Sequence, residues 1–281
     1  MRTAILSALA LCSFAANSIL CRLALAGGAI DPASFTAVRL FSGALVLATL
    51  LASSGKRPLR EGNWISAAML FGYAIAFSLA YVGLKAGTGA LLLFGSVQAT
   101  MILYSMAKGH HPHWNQWLGL LLAVGGLVYL VIPGLAAPPY DRALLMLGAG
   151  VAWGIYSLRG RGAGDPMAAT GANFILAAPF ALIPLALSSG SLHWTQAGLF
   201  WAVLSGAVTS GLGYVIWYAV LPSLGNVRAA IVQLLVPVLA ALAAATLLHE
   251  PLTTRLIVSG LVTLSGVALS VLVKPTNLRN S

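Results

Sequence analysis

The sequence predicts an all-α integral membrane protein with ten transmembrane helices arranged as two inverted five-helix repeats. Three observations carry that prediction. The 281-residue chain is 59% hydrophobic and only 7% charged, with a mean hydropathy of +0.94. A water-soluble domain averages about 25% charged residues, because it must cover its outside with polar groups. The few charges present sit almost entirely at the ends of long apolar segments, which makes lipid the solvent. Motif pairs also recur in the same order in the two halves.

A helix needs roughly 20 apolar residues to cross the hydrocarbon. Cutting at charges, Pro, Gly and polar clusters gives spans 3–24, 32–53, 63–84, 87–107, 114–133, 142–158, 167–188, 195–221, 226–248 and 252–273. The runs are continuous, without the alternation a barrel strand requires. The short loops between them leave no room for a soluble domain.

Span 1 opens like a signal peptide, with Arg2 before an apolar run, but that run is long and no small-residue cleavage site follows, so it reads as a helix. Its two cysteines, Cys12 and Cys21, fall on opposite faces about 13 Å apart. They are too distant to pair, and packing roles are expected. Span 2 starts at Asp31-Pro32, a cap followed by Pro in the first turn, and carries Arg39. Span 3 places Tyr73, Phe77 and Tyr81 on one face by their i, i+4, i+8 spacing. Gly83, Gly87 and Gly89 make the corner to span 4 pliable, and that span holds Ser96, Gln98 and Tyr104. His110, His111 and His113 precede span 5 in a short interfacial loop, where no metal site is expected. Span 6 is short and rich in Gly and Ala, with Trp153, Tyr156 and Ser157. Span 7 contains Asn173, and Pro179 and Pro184 should bend it; Pro237 should kink span 9 near its middle. Span 8 holds Tyr214, Trp217 and Tyr218, and span 9 holds Gln233. Trp64, Trp114, Trp117 and Trp194 lie at span ends, where a headgroup belt accounts for them.

Orientation follows from Lys and Arg in alternate loops. One set holds Arg2, Lys56, Arg57, Arg60, Lys108, Arg159, Arg161, Arg228, Lys274 and Arg279; the other holds only Arg22, Lys85, Arg142 and Arg255. Both termini are therefore expected in the cytoplasm. The net charge of +10 is explained by topology and anionic headgroups, and nucleic-acid binding is not expected.

Phe14-Ala15-Ala16-Asn17-Ser18 with Arg22 in span 1 matches Trp153-Gly154-Ile155-Tyr156-Ser157 with Arg161 in span 6, at one constant offset. Asp31-Pro32 and Thr36 match Asp165-Pro166 and Thr170. Asn63-Trp64 mirrors His193-Trp194, and His110-His111-Pro112 mirrors His249-Glu250-Pro251. Gly119 and Gly125 recur as Gly260 and Gly266. These matches divide the chain into repeats 1–136 and 137–281. Five spans return the chain to the opposite side, so the second repeat is inverted. Inverted repeats bind substrate near the midplane and alternate access around it.

The Phe/Trp-Gly/Ala motif of spans 1 and 6, Phe35 with Arg39, Pro237, and Glu250 with Gly260 and Gly266 resemble the drug/metabolite transporter superfamily in its EamA-like ten-helix branch. Within that branch the chain is similar to the YddG-type inner-membrane exporters of aromatic and other amino acids. The resemblance covers essentially the whole chain. It implies export from a bacterial inner membrane. Gln98 and His111 stand where the second half has Pro237 and Glu250, so the pattern is degraded in the first half.

Arg39 is the one charge clearly inside a span, about 12 Å from its start by helical rise. Burying it costs at least ~2.5–3.5 kcal/mol, so it must meet carbonyls, a cavity or a substrate carboxylate. A structural clamp and a substrate role both stay open. The interior aromatics and amides form the candidate binding set: Asn17, Tyr73, Phe77, Tyr81, Gln98, Tyr104, Trp153, Tyr156, Tyr214, Trp217, Tyr218 and Gln233. Tyrosine hydroxyls in hydrocarbon need partners, and their rings can hold an ammonium. Arg39 and Pro237 are candidate structural or gating residues. All five acids (Asp31, Glu61, Asp141, Asp165, Glu250) and all five histidines lie at span ends or in loops. A proton-coupled carrier usually keeps such a group at membrane depth, so uncoupled transport or exchange is expected.

An intramembrane enzyme would need a nucleophile with a base, or a carboxylate–metal cluster, at that depth. No His, Asp or Glu is placed there by the sequence. A passive channel and a multidrug or cationic-compound exporter of the same fold are the alternatives. The expected partners are a small-molecule substrate and membrane lipid, with no cofactor. The sequence leaves the oligomeric state open, a monomer included.

Overall fold

The computed structural model describes residues 2–55, 61–108, 114–134, 136–160 and 164–272. The loop with His110, His111 and His113, where no metal site is expected, lies outside the described residues. The first six crossings are single helices: α1 (Arg2–Leu25), α2 (Pro32–Ser53), α3 (Trp64–Tyr81), α4 (Ala86–Ala107), α5 (Trp114–Val131) and α6 (Tyr140–Gly160). The seventh is broken into α7 (Pro166–Ala177), a 3₁₀ turn (Ala178–Ala181) and α8 (Leu182–Leu187). The eighth runs through α9 (Gln196–Leu204), a π-helical segment (Ser205–Leu212) and the start of α10 (Gly213–Gln233). The ninth joins the end of α10 to α11 (Leu235–Leu247), and the tenth is α12 (Thr254–Leu272). Among the described residues nine stretches are long and apolar enough to cross a membrane, with α11 shorter. The chain is an all-α membrane protein.

Short-range chemistry sets the helix starts. Asp31 Oδ1 accepts the Ser34 N–H at 2.9 Å, and Asp165 Oδ1 accepts those of Met167 and Ala168 at 3.1 Å. In both helices a Pro sits in the first turn. The hydroxyls of Thr36 and Thr170 donate to the carbonyls of Pro32 and Pro166, both at 2.7 Å. Asn63 and Thr195 cap α3 and α9 in the same way. Pro179 sits at the start of the 3₁₀ turn of the seventh crossing; a continuous α-helix would need the N–H it lacks to bond the Ile175 carbonyl.

Pro237 departs from the expectation of a kink in one continuous helix. The helix stops at Leu234 and restarts as α11, with Pro237 in its first turn. The missing N–H of Pro237 would have bonded the Gln233 carbonyl, four residues back.

Large apolar side chains such as Leu45, Leu121, Leu187 and Leu261 point outward, while Thr36, Arg39, Ser78, Ser205 and Ser210 are fully buried. This inverts the order of a soluble protein. Lipid is as apolar as Leu, so helices associate through small residues and hydrogen bonds. Thus α5 lies along α12, where a Cβ on Gly119 would overlap the Gly266 carbonyl oxygen and one on Gly126 would overlap Thr263. Their sequence partners Gly125 and Gly260 meet no such close contact. Beyond this pair, α2 packs on α7, α4 on α11, α3 and α4 on α6, and α9, α10 and α11 on α1.

Helix α3 is gripped at both ends by arginines of α6. Arg142 Nη1 donates to the Leu79 carbonyl at 2.8 Å, and Arg159 donates to Ser66 Oγ at 3.1 Å and Asn63 Oδ1 at 2.8 Å. On the face opposite the start of α1, Asp31 ties two loops together. Its Oδ2 accepts the His193 N–H at 3.0 Å, beside a single antiparallel bridge between Ile30 and Trp194. Burial would raise the Asp31 carboxyl, but hydrogen bonds from Ser34 and from the His193 and Ala33 backbone outweigh it and hold it below the usual carboxylate range. The stability it contributes is therefore complete above about pH 4 and is lost as pH falls through its lowered folded value. Asp31→Asn is expected to lower the thermal unfolding midpoint at pH 7, with the gap to wild type closing in strongly acidic buffer.

Candidate functional site

Residues from α1, α3, α4, α6 and α10 converge at the centre of the bundle. Phe14, Asn17, Tyr73, Phe77, Leu93, Phe94, Trp153 and Tyr214 surround a cavity of about 10 Å³, room for about one water molecule. Trp153 lies 4.5 Å from the Tyr214 ring and 5.1 Å from Tyr73. Phe14 packs edge-on to Trp153, Tyr214 and Trp217 at 5.7–6.2 Å. The i, i+4 spacing within α3 brings Tyr73, Phe77 and Tyr81 into successive tilted and edge-on contacts, at 5.2 and 4.7 Å.

Behind this aromatic wall lies Arg39, 1% exposed. Its Nη2 donates to Tyr73 Oη at 2.9 Å and Tyr214 Oη at 3.1 Å, and its Nε donates to Ser210 Oγ at 3.0 Å. The guanidinium carbon sits 5.0 Å from the Tyr73 ring centre and 5.2 Å from that of Phe77, within cation–π range. Nη1 has no hydrogen-bond partner. Arg39 thus meets hydroxyls and ring faces rather than the carbonyls considered for a clamp. Asn17 completes the cluster: its Nδ2 donates to Tyr73 Oη at 3.3 Å, while its Oδ1 accepts from Ser205 at 2.7 Å and Thr209 at 3.2 Å.

Three of these hydroxyls, on Ser205, Thr209 and Ser210, come from the π-helical segment, and wide turns of this kind recur at functional sites. The segment is pressed onto α2 through Gly206, where a Cβ would overlap the Arg39 carbonyl oxygen and Ser42 Oγ. The backbone atom cannot move aside cheaply. Gly206→Ala is expected to cost about 1–3 kcal/mol, measured as a lower thermal midpoint in detergent, and to pull Ser210 away from Arg39.

Layers on either side close the cavity. Towards the face opposite the start of α1, the Tyr81 hydroxyl donates to the Ala86 carbonyl at 3.3 Å. Just beyond, Arg22 Nε pairs with Glu250 Oε1 at 2.8 Å, and Glu250 Oε2 accepts the Ala86 N–H at 2.7 Å. Arg22 Nη1 also reaches the Tyr81 and Val82 carbonyls. On the other side Gln98 Nε2 donates to Gln233 Oε1 at 3.4 Å. There Tyr156 lies 6.2 Å from Tyr218, whose ring abuts Gly160.

Of the residues singled out from sequence, Asn17, Tyr73, Phe77, Trp153 and Tyr214 meet at the cavity, and Tyr81, Gln98, Tyr156, Trp217, Tyr218 and Gln233 lie in the flanking layers. Tyr104 does not join them. It is 47% exposed on the outside of α4, under the Lys108 ammonium at 5.6 Å. Helix α4 turns its Leu91–Gln98 stretch inward, and Tyr104 falls beyond that stretch, where this face meets lipid. Pro237 lines a different, lateral cavity of about 200 Å³ between α4, α11 and α12, with Gly87, Leu91 and Leu256 among its walls. Sequence reasoning left out Phe14, Phe94, Ser205, Thr209 and Ser210 as site residues, and Arg22 and Glu250 as a pair. The hydroxyls at 205 and 209, one helical turn apart in an apolar span, were the available signal. Among the described residues no group of three or more His, Cys, Asp and Glu is placed to hold a metal ion.

The chain matches the model of the EamA-like transporter family over residues 1–132 and 142–272. It is 54% identical over 270 residues to an uncharacterised protein of Pseudomonas aeruginosa, covering 95% of this chain and 94% of that one. It is 27% identical over 214 residues to a probable amino-acid metabolite efflux pump of Salmonella typhimurium, covering 71% and 72%. A solved crystal structure superimposes with a TM-score of 0.66 at 16% identity, covering 96% of both chains; this likeness concerns the fold alone.

Proposed function

The chain belongs to the EamA-like transporter family, and on that premise we propose that it exports small amphipathic metabolites, amino acids including aromatic ones, by alternating access through the central cavity. The observation that carries this reading is the buried cluster of Arg39, Asn17, Tyr73, Trp153 and Tyr214, drawn from both halves of the chain. A guanidinium beside closely packed aromatic rings suits a molecule with a carboxylate and an apolar side chain. The name of the Salmonella typhimurium relative agrees with it.

The two halves, 1–136 and 137–281, act as inverted repeats in this reading. Their packing supports it: exchanging the halves turns the α3–α6 contact into the contact of α9 and α10 with α1, and α4–α6 into α11–α1. The pairs α2–α7, α5–α12 and α4–α11 map onto themselves. A cavity that holds one water is closed to substrate, so a metabolite enters only when one flanking layer parts. Gating is a rocking of one helix group against the other.

Both termini face the cytoplasm of a bacterial inner membrane. On the face opposite the start of α1, Arg22 pairs with Glu250, and Arg142 and Arg255 cap the carbonyls of Leu79 and of Leu130 and Ile132. Few free cations remain there, as the periplasmic side requires. Among the described residues no carboxylate lies in the central cluster, which favours uncoupled transport or exchange over proton antiport.

Radiolabelled amino-acid uptake into proteoliposomes tests this reading. The expected result is saturable uptake of aromatic and aliphatic amino acids, competed by unlabelled substrate and unchanged by an imposed pH gradient. Uptake confined to cationic drugs would overturn the substrate class. Uptake driven by the gradient would overturn the uncoupled mechanism.

A further inference from the structure

The polar groups of the cavity wall, and the guanidinium that backs Tyr73 and Tyr214 from behind it, are unbalanced in a way that specifies what binds there. Arg39 Nη1 carries two N–H groups with no acceptor. The Tyr73 oxygen already receives hydrogen bonds from Arg39 Nη2 and Asn17 Nδ2, which occupy both its lone pairs, and it shares a 3.3 Å contact with the Tyr214 hydroxyl. Asn17 Oδ1, the cluster's carbonyl-type acceptor, is taken by both Ser205 and Thr209. Ser210 Oγ is taken by Arg39 Nε. The cluster therefore holds one full positive charge, a surplus of side-chain donors and no free side-chain carbonyl or carboxylate among the described residues. In a buried site each unpaired donor carries a desolvation penalty. The group that relieves it is anionic and accepts only.

We infer that the cavity is a monocarboxylate site in which Arg39, acting with the Tyr73 and Tyr214 hydroxyls and Asn17 Nδ2, recognises the carboxylate, and that the substrate's ammonium group is dispensable. This rests on the transport reading above and narrows it. One guanidinium balances one negative charge, so a dianion such as a phosphate monoester leaves an uncompensated charge in a dry site. An ammonium finds no carboxylate here. Its available partners are ring faces, and two of those in the cavity wall, Tyr73 and Phe77, already face the Arg39 guanidinium at 5.0 and 5.2 Å, which repels it. An amine without a carboxylate is therefore disfavoured. An aryl monocarboxylate without an amine neutralises the site fully, and its ring stacks where a phenylalanine side chain would.

The test uses one scaffold on the intact protein in proteoliposomes and detergent. Phenylalanine, 3-phenylpropionate, phenethylamine and phenylalaninamide compete with labelled phenylalanine, and each is also scored by its shift of the thermal unfolding midpoint. Phenylpropionate is expected within about tenfold of phenylalanine. The amine and the amide are expected about ten- to a hundredfold weaker, the loss of one or more charge-assisted hydrogen bonds. The amine matching phenylalanine while phenylpropionate is inert would overturn the inference and leave amino-acid transport standing. Phenylpropionate binding without any amino-acid binding would uphold the inference and overturn the amino-acid reading. Binding of none of the four overturns both. Arg39→Lys, which retains the charge but not the planar fork, should keep the preference for carboxylate over amine at lower affinity. Tyr73→Phe with Tyr214→Phe should weaken carboxylate ligands without strengthening the amine. An unchanged carboxylate affinity in that pair would place the anion elsewhere.

Discussion

Arg39→Met is expected to abolish transport while leaving thermal stability close to that of the wild type. The two roles open for Arg39 separate on this point. A clamp satisfied by its surroundings contributes to the fold, and removing it would lower the unfolding midpoint sharply. The structure instead holds Arg39 half satisfied: three hydrogen bonds to hydroxyls, two ring contacts, and Nη1 without a partner at 1% exposure. Taking a charge out of water into such a place is costly, and replacing it with an apolar side chain of similar size is often neutral or stabilising. The hydroxyls left behind can pair among themselves, since Tyr214 already donates to Tyr73 at 3.3 Å. Function has no such substitute. With the carboxylate substrate proposed above, losing one partner of a buried carboxylate–guanidinium pair costs about 2–5 kcal/mol, about thirty- to a few thousandfold in affinity. Uptake assays and thermal unfolding on the same preparation decide the matter. A large fall in the midpoint with residual transport would return Arg39 to a structural role.

Glu250→Ala is the second large effect. Glu250 does two jobs at once, pairing with Arg22 at 2.8 Å and capping the start of α4 through the Ala86 N–H at 2.7 Å. Its side chain is only 11% exposed, so solvent screens the pair weakly. Removing it leaves Arg22 held by the Tyr81 and Val82 carbonyls alone and uncaps α4. The expected loss is about 1–3 kcal/mol, and under the alternating-access mechanism proposed above it falls on the state in which this face is shut. The open population should therefore rise about five- to a hundredfold. A single cysteine at Thr88, in a background with Cys12 and Cys21 replaced by Ser, reports this as faster labelling by an impermeant maleimide. The exchange Arg22→Glu with Glu250→Arg should recover only part of the closure, because an arginine cannot accept the Ala86 N–H. Full recovery would mean that the ion pair alone holds the face shut. No change in labelling would mean that the pair does not gate it.

Much of the fold was legible because lipid imposes a simple rule on sequence. Each crossing must satisfy its own backbone and present apolar side chains outward, so the spans can be counted from composition alone. The Asp-Pro starts of α2 and α7 are written locally, and the structure uses them as helix caps with matching threonine hydrogen bonds. The i, i+4 spacing of Tyr73, Phe77 and Tyr81 fixed a shared face on α3, and that face proved buried. Tyr104 shows where such reasoning stops. An interior position along the helix axis says nothing about which way a side chain points, and α4 turns this one towards lipid.

What the sequence determined by itself is the solvent, the number and approximate bounds of the crossings, and the presence of one cation among them. Those properties are sums over short stretches of chain, and the transfer of each side chain into hydrocarbon is nearly independent of its distant neighbours. Tertiary structure alone decided what that cation meets. Tyr73, Tyr214 and Ser210 reach Arg39 from positions 34 to 175 residues away, through a contact that Gly206 permits and a π-helical segment that no local propensity announces. A hydrogen bond depends on ångström distances between helices. Those distances are set only when all ten crossings pack together.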